Sequence, residues 1–118
     1  HLVSLYRSTW YAADRSDSSG TSSSTRMLAV ALDVDGGADE GLVLLRGIVR
    51  IPASLLETSI SVGSIGAPVY ISTTAGEYTL SVSTTSDDII RIVGYVLDTD
   101  ATDMLMYFCP DNTWIKVA

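Results

Sequence analysis

Short β-prone runs, broken every few positions by glycine, aspartate, serine or threonine, constrain this chain of 118 residues more than any other feature. Successive side chains of a strand point to opposite faces, whereas an amphipathic helix needs an apolar stripe repeating about every 3.6 residues. No such stripe here extends beyond about two turns. The pattern predicts an all-β fold, a compact β-sandwich or small β-barrel of about nine short strands. Expected strands cover residues 3–7, 9–13, 27–33, 41–51, 68–72, 78–83, 89–97, 104–109 and 113–117. The length suits a single domain over 1–118, since a chain of this size buries roughly two-thirds of its unfolded surface in one core.

The punctuation is specific. DVDGGADEG at 33–41 and STTAGEY at 72–78 supply the glycine and polar residues of tight reversals, so both are expected to close hairpins. Residues 14–25, DRSDSSGTSSST, hold six serines and two threonines with no aliphatic side chain to anchor them, and are expected to form a flexible loop. In IPASLLETSI (51–60), Pro52 is placed to open one helical turn that directs Leu55 and Leu56 inward, an irregular crossing being the alternative. LAVALDVD (28–35) and VGYVLDTD (93–100) echo each other, each an apolar run ending in Leu-Asp; shared strand-then-turn grammar explains the echo as well as duplication does.

Splitting GLVLLRGIVRI by alternation separates two faces. Val43, Leu45, Gly47, Val49 and Ile51 form a uniformly apolar or small set, the expected core side. Leu42, Leu44, Arg46, Ile48 and Arg50 form a set too apolar for water that nevertheless carries two arginines, as an intersubunit face does. Packed stems with charged heads reaching out of a single domain account for it equally well. IIRIVGYVL repeats the pattern, with Arg91 interrupting an apolar face. Arg46, Arg50 and Arg91 carry planar forked donors suited to carboxylates such as Asp33, Asp87, Asp88 or Asp98. Tyr107, Trp114 and Ile115 near the carboxyl end complete the expected contact residues.

Composition narrows the function. Seven basic against fourteen acidic residues give a formal charge of −7, the wrong sign for neutralising nucleic-acid phosphates. Hydrophobic residues make up 47% of the chain and mean hydropathy is +0.30, so part of the apolar surface is expected to meet another subunit. No apolar run approaches the ~18 residues of a membrane-spanning helix. The chain starts at His1 with no basic leader, as a processed or truncated longer protein does.

Catalytic sets are missing. His1 is the single histidine and sits at the terminus, and the serines lack a nucleophile-elbow context, which argues against a serine hydrolase. Acids are plentiful in DGGADE and DTDATD, but turns are where solvated aspartate is ordinary, so a polysaccharide-cleaving enzyme is the weakest alternative. Asp33, Asp35 and Asp39 have the spacing of the first half of a calcium loop. The twelfth position, which a bidentate Glu occupies in an EF-hand, is Leu44 here, so a hairpin turn is preferred. Cys109 is the single cysteine, which excludes an intrachain disulfide, and its apolar surroundings predict a small buried hydrophobe. No motif implies a cofactor.

GAPVYISTTAG (66–76), IIRIVGYVLD (89–98) and YFCPDNTWIKVA (107–118), in that order, resemble a domain of tailed-bacteriophage virion proteins. MLAVALD followed by GLVLLRGIV resembles the leucine- and glycine-rich hairpin of that family, and LYRSTWYAADRSDSS its first strand pair, so the likeness spans nearly the whole chain. Cys109 stands where Asn often precedes the proline, and Lys116 where an acidic residue is common. The resemblance implies a homotrimeric capsid cement or decoration protein on the virion exterior, in contact with major capsid protein; a head or tail fibre domain that binds a host receptor is the alternative. It implies neither nucleic-acid nor membrane contact.

Overall fold

The computed structural model describes residues 1–6, 9–17, 20, 23–33, 42–57, 64–100 and 102–118. Among them eleven strands form three antiparallel sheets, with no closed barrel. The first sheet joins β1 (Leu2–Tyr6), β2 (Thr9–Ala12), β3 (Leu28–Asp33) and β4 (Leu42–Leu44) in the order β2-β1-β3-β4. The second joins β5 (Gly47–Pro52), β6 (Pro68–Ile71), β7 (Tyr78–Thr79), β9 (Ile92–Thr99) and β10 (Asp103–Phe108) in the order β5-β10-β9-β6-β7. A ribbon of β8 (Ile89–Ile90) and β11 (Ile115–Lys116) is the third. The expected all-β class holds, and the strand count exceeds nine because two expected strands are each divided.

One division falls within 41–51. β4 pairs with β3 and β5 with β10, so the chain leaves one sheet and enters the other across Leu45 and Arg46. Gly47 supports the change with φ +144°, a conformation that side chains disfavour. The expected continuous alternation therefore fails at this step: Leu44 packs against the core and Leu45 is 49% exposed, the reverse of their assigned faces. From Val49 onward the reading holds, with Val49 and Ile51 on the core side and Ile48 and Arg50 outward. The other division, at Arg91, separates β8 from β9.

A single core joins the two larger sheets. Leu2, Leu28 and Val30 of the first meet Ile51, Ile71, Val96, Met104, Met106 and Phe108 of the second. Fully burying one such side chain contributes about 1.5–3 kcal/mol, which makes this contact the main driving force for the fold. The Cα trace spans 39 × 37 × 21 Å.

Both expected hairpins have the right flanking pairs. Ala31 faces Val43 on either side of the expected 33–41 reversal, of which residues 34–41 lie outside the described residues, and Ile71 faces Tyr78 across the other. In the second, Gly76 adopts φ +85°, and a side chain there would strike the His1 ring. Pro52 opens a 3₁₀ turn, Ala53–Leu55, after which Leu55 and Leu56 pack on the core as expected. The two echoing segments place β3 and β9 in different sheets, each followed by its antiparallel partner. Expected strand 78–83 stops after Thr79.

The described part of the serine-rich segment is anchored, contrary to the absence of anchors in its sequence. Ser23 and Ser24 are fully buried, Ser24 N–H donates to the Asp17 carbonyl at 3.1 Å, and Asp14 and Ser23 form a parallel bridge. Arg15 extends this tie: its Nε donates to Asp88 Oδ2 at 3.1 Å, and Ser83 Oγ donates to the same oxygen at 2.7 Å. A buried carboxylate held by a cation and a hydroxyl meets the condition under which burial of charge is tolerated.

Candidate interaction surface

The second sheet is apolar on both sides. Its inner side is the core. On its outer side the register lines up Ile48, Tyr107, Tyr95 and Pro68 as successive Cα partners across β5, β10, β9 and β6. Ile48 is 65% exposed, Tyr95 39% and Tyr107 37%, in a row perpendicular to the strands. Cross-strand neighbours of this kind stand about 4.5–5.5 Å apart, so the four side chains make one contiguous strip.

A second row lies beside it, in which Leu105 faces Arg50 on one side and Asp98 on the other. Arg50 Nη1 lies 3.0 Å from Asp103 Oδ1, an ion pair on the same face that holds the guanidinium along the sheet. Leu97, 41% exposed, falls in the bulge where the β9–β10 register shifts between Leu105 and Met106. Bulges twist a strand and re-aim its side chains, and this one adds a leucine to the apolar strip.

The expected contact residues divide into three places. Ile48, Arg50 and Tyr107 come together on the outer sheet face. Leu42, 65% exposed, and Arg46, also exposed, belong to β4 and the turn after it, while Leu44 of the same strand packs on the core. Trp114 and Ile115 are exposed at β11, where Ile115 pairs with Ile90. Alternation within one strand missed Tyr95 and Pro68, because their membership of the strip depends on the register of four strands. The signal for Tyr95 was its place among apolar residues in IVGYVL.

Arg50 and Arg91 take partners other than those expected. Arg50 pairs with Asp103, and Lys116 Nζ lies 3.7 Å from Asp87. Arg91 binds carbonyls: Nε donates to Asp111 O at 2.6 Å, and Nη1 to Ser24 O at 3.0 Å and Arg26 O at 2.6 Å. Burial pushes the Arg91 guanidinium below its ordinary value, and the Asp111 carboxylate partly opposes that shift. Cys109 is half-buried, its N–H donating to the Val93 carbonyl at 2.9 Å. Of the calcium candidates, Asp35 and Asp39 lie outside the described residues, and only the backbone of Asp33 lies within them. Among the described residues no helix is long and apolar enough to cross a membrane.

No family model, curated protein or solved structure matches the chain. Chemically, the outer sheet face offers tyrosine hydroxyls for hydrogen bonding and large rigid apolar bodies for burial, the combination enriched at the centres of protein interfaces.

Proposed function

We propose that this chain is a structural virion protein of a tailed phage, a capsid cement or decoration subunit that assembles as a homotrimer on major capsid protein at the outside of the head. The apolar strip Ile48–Tyr107–Tyr95–Pro68 carries the reading toward assembly, and the resemblance of the three carboxyl-half motifs carries it toward the virion. A stable interface takes roughly 800 Å² from each partner, about an eighth of the 6365 Å² surface of this subunit. The strip with its Arg50–Asp103 margin supplies an apolar centre and a charged edge, the anatomy such contacts have.

A cement subunit needs one surface for its own copies and another for the shell. Trp114, just before β11, and Ile115, within it and so on a different sheet from the strip, provide a second exposed apolar pair. The formal charge of −7 fits a role that adds contact area between capsomers without touching the genome.

Sedimentation of the full chain at micromolar concentration, together with counting copies per virion, tests the reading. The expected results are a trimer that Ile48→Asp converts to monomer, and hundreds of copies spread over the shell whose release makes heads fragile. Monomer alone, in solution and in images of the capsid, overturns the trimer. A few or dozens of copies at one vertex overturn the cement role in favour of a fibre domain.

A further inference from the structure

Three of the chain's seven basic residues, Arg26, Arg46 and Arg91, line a single cavity of about 350 Å³ in an otherwise acidic molecule. The cavity lies between the end of the serine-rich segment, the β4–β5 turn and the segment after β10. Its volume is at the lower end of the range for sites that hold a small ligand or a short side-chain group.

Arg91 is the most informative of the three. It is 5% exposed, and Nε and Nη1 are spent on the carbonyls of Asp111, Ser24 and Arg26. Those bonds fix the guanidinium plane without neutralising it. No carboxylate forms an ion pair with Arg91 among the described residues, and Nη2 makes no hydrogen bond there. The nearby Asp111 carboxylate instead accepts the Thr113 N–H at 2.9 Å. A buried charge with a free pair of N–H groups is the donor half of a charge-assisted hydrogen bond.

Arg46 adds a second charge. It sits in the turn between the two sheets, exposed, with no hydrogen bond or ion pair among the described residues. Arg26 is already engaged, its Nη1 donating to the Gly20 carbonyl. The remaining wall is mixed: Met27 and Leu45, each about half exposed, and Pro110 are apolar, while Thr25 and Asn112 are polar. No aromatic ring lines the cavity, so a sugar has no stacking platform.

We propose that this cavity receives an acidic side chain of a partner peptide, its carboxylate held by Arg91 Nη2 and Arg46 and its apolar neighbour packed on Met27 and Leu45. Forked guanidinium donors match a carboxylate bidentately, and the apolar rim selects an acidic residue followed by an aliphatic one. Repulsion from the chain's distant acids is screened beyond about 8 Å at physiological salt, so the local arginines dominate. The inference rests on the assembly reading only for the source of the peptide, a neighbouring virion protein.

Titrating the isotope-labelled full chain with acetyl-Gly-Asp-Leu-Gly-amide, observed by backbone amide shifts, tests it. Saturable shifts confined to residues 24–28, 45–47, 91, 111 and 112 are expected. The Asn peptide should bind about tenfold more weakly, the loss of one charge-assisted bond. Arg91→Gln risks the fold, since it removes three carbonyl contacts; Arg46→Gln changes an exposed side chain and should weaken binding about fivefold with the spectrum otherwise intact. Equal affinity for the Asp and Asn peptides overturns the proposal, as does absence of shifts at these residues. Glucuronate or inorganic sulfate binding as tightly as the Asp peptide also overturns it, in favour of a sugar or a simple oxyanion. A trimer that ignores the peptide retires this inference alone; a monomer that binds it retires only the assembly reading.

Discussion

Tyr78 is fully buried in the core, and its hydroxyl has no hydrogen-bond partner among the described residues. A buried hydroxyl left unpaired costs about 1–3 kcal/mol, whereas a ring of the same shape without the oxygen costs nothing in desolvation. Tyr78→Phe removes that penalty and forfeits a few dispersion contacts worth about 0.1–0.2 kcal/mol each, for a net gain of about 1 kcal/mol. At about 2.1 cal/mol/K per residue, the 118 residues give an unfolding entropy near 0.25 kcal/mol/K, so the midpoint should rise by about 4 °C. Burial also raises the Tyr78 pKa. A folded-state pKa above the unfolded value means that this group's contribution is complete below about pH 10 and declines as pH rises further, because only the unfolded chain readily releases the proton. The Phe variant should lack that component of the alkaline decline. Thermal and urea unfolding of both proteins at pH 7 and pH 11 provide the measurement. A Phe variant less stable by 1 kcal/mol or more, with an unchanged urea slope, refutes the reasoning and reveals a partner for the hydroxyl.

Gly94→Ala places a methyl group onto the Tyr107 carbonyl oxygen and within 3.0 Å of the Met106 side chain, so β9 and β10 must separate; a loss of more than about 3 kcal/mol is expected by urea unfolding, and a loss under 1 kcal/mol contradicts the close approach. Asp88→Ala takes the nearer carboxylate from the Arg15 guanidinium, 14% exposed, leaving it Glu57 at 3.9 Å, and should cost about 2–3 kcal/mol, with Arg15→Met/Asp88→Leu recovering most of it. Asp100 accepts N–H groups of Thr102 and Asp103, which hold its pKa down to about 2. Its contribution is therefore present above the unfolded value near 3.9 and lost as pH falls through about 2. Carboxyl chemical shifts across pH 1–5 should give that midpoint for Asp100, and a midpoint near 4 sinks the assignment.

The parts of the fold legible in sequence were those where one strand decides its own faces. IVRI at 48–51 and MLMYF at 104–108 alternate as written, and their inward residues are core. The step at Leu45 and Arg46 was hidden because both sides of it are apolar; only the choice of a new pairing partner breaks the phase, and that partner, β10, lies more than fifty residues on in sequence. Arg91 was legible as an arginine out of place on an apolar face. Its partners were not, because Ser24 and Arg26 lie 67 and 65 residues away, and a backbone carbonyl leaves no mark in sequence. Ser24 shows the complementary failure: a hydroxyl run looks solvated until a buried guanidinium claims one of its carbonyls.

That guanidinium also couples parts of the chain that no strand connects. Arg91 clasps residues 24–26 to Asp111, while the Asp111 and Cys109 N–H groups bond to Ile92 and Val93 beside it. The two segments share one fastening, so each lends the other its protection. Their amides should exchange with solvent at a common opening free energy, as a single cooperative unit. A contact made by either segment then steadies both, and the rim of the cavity with them.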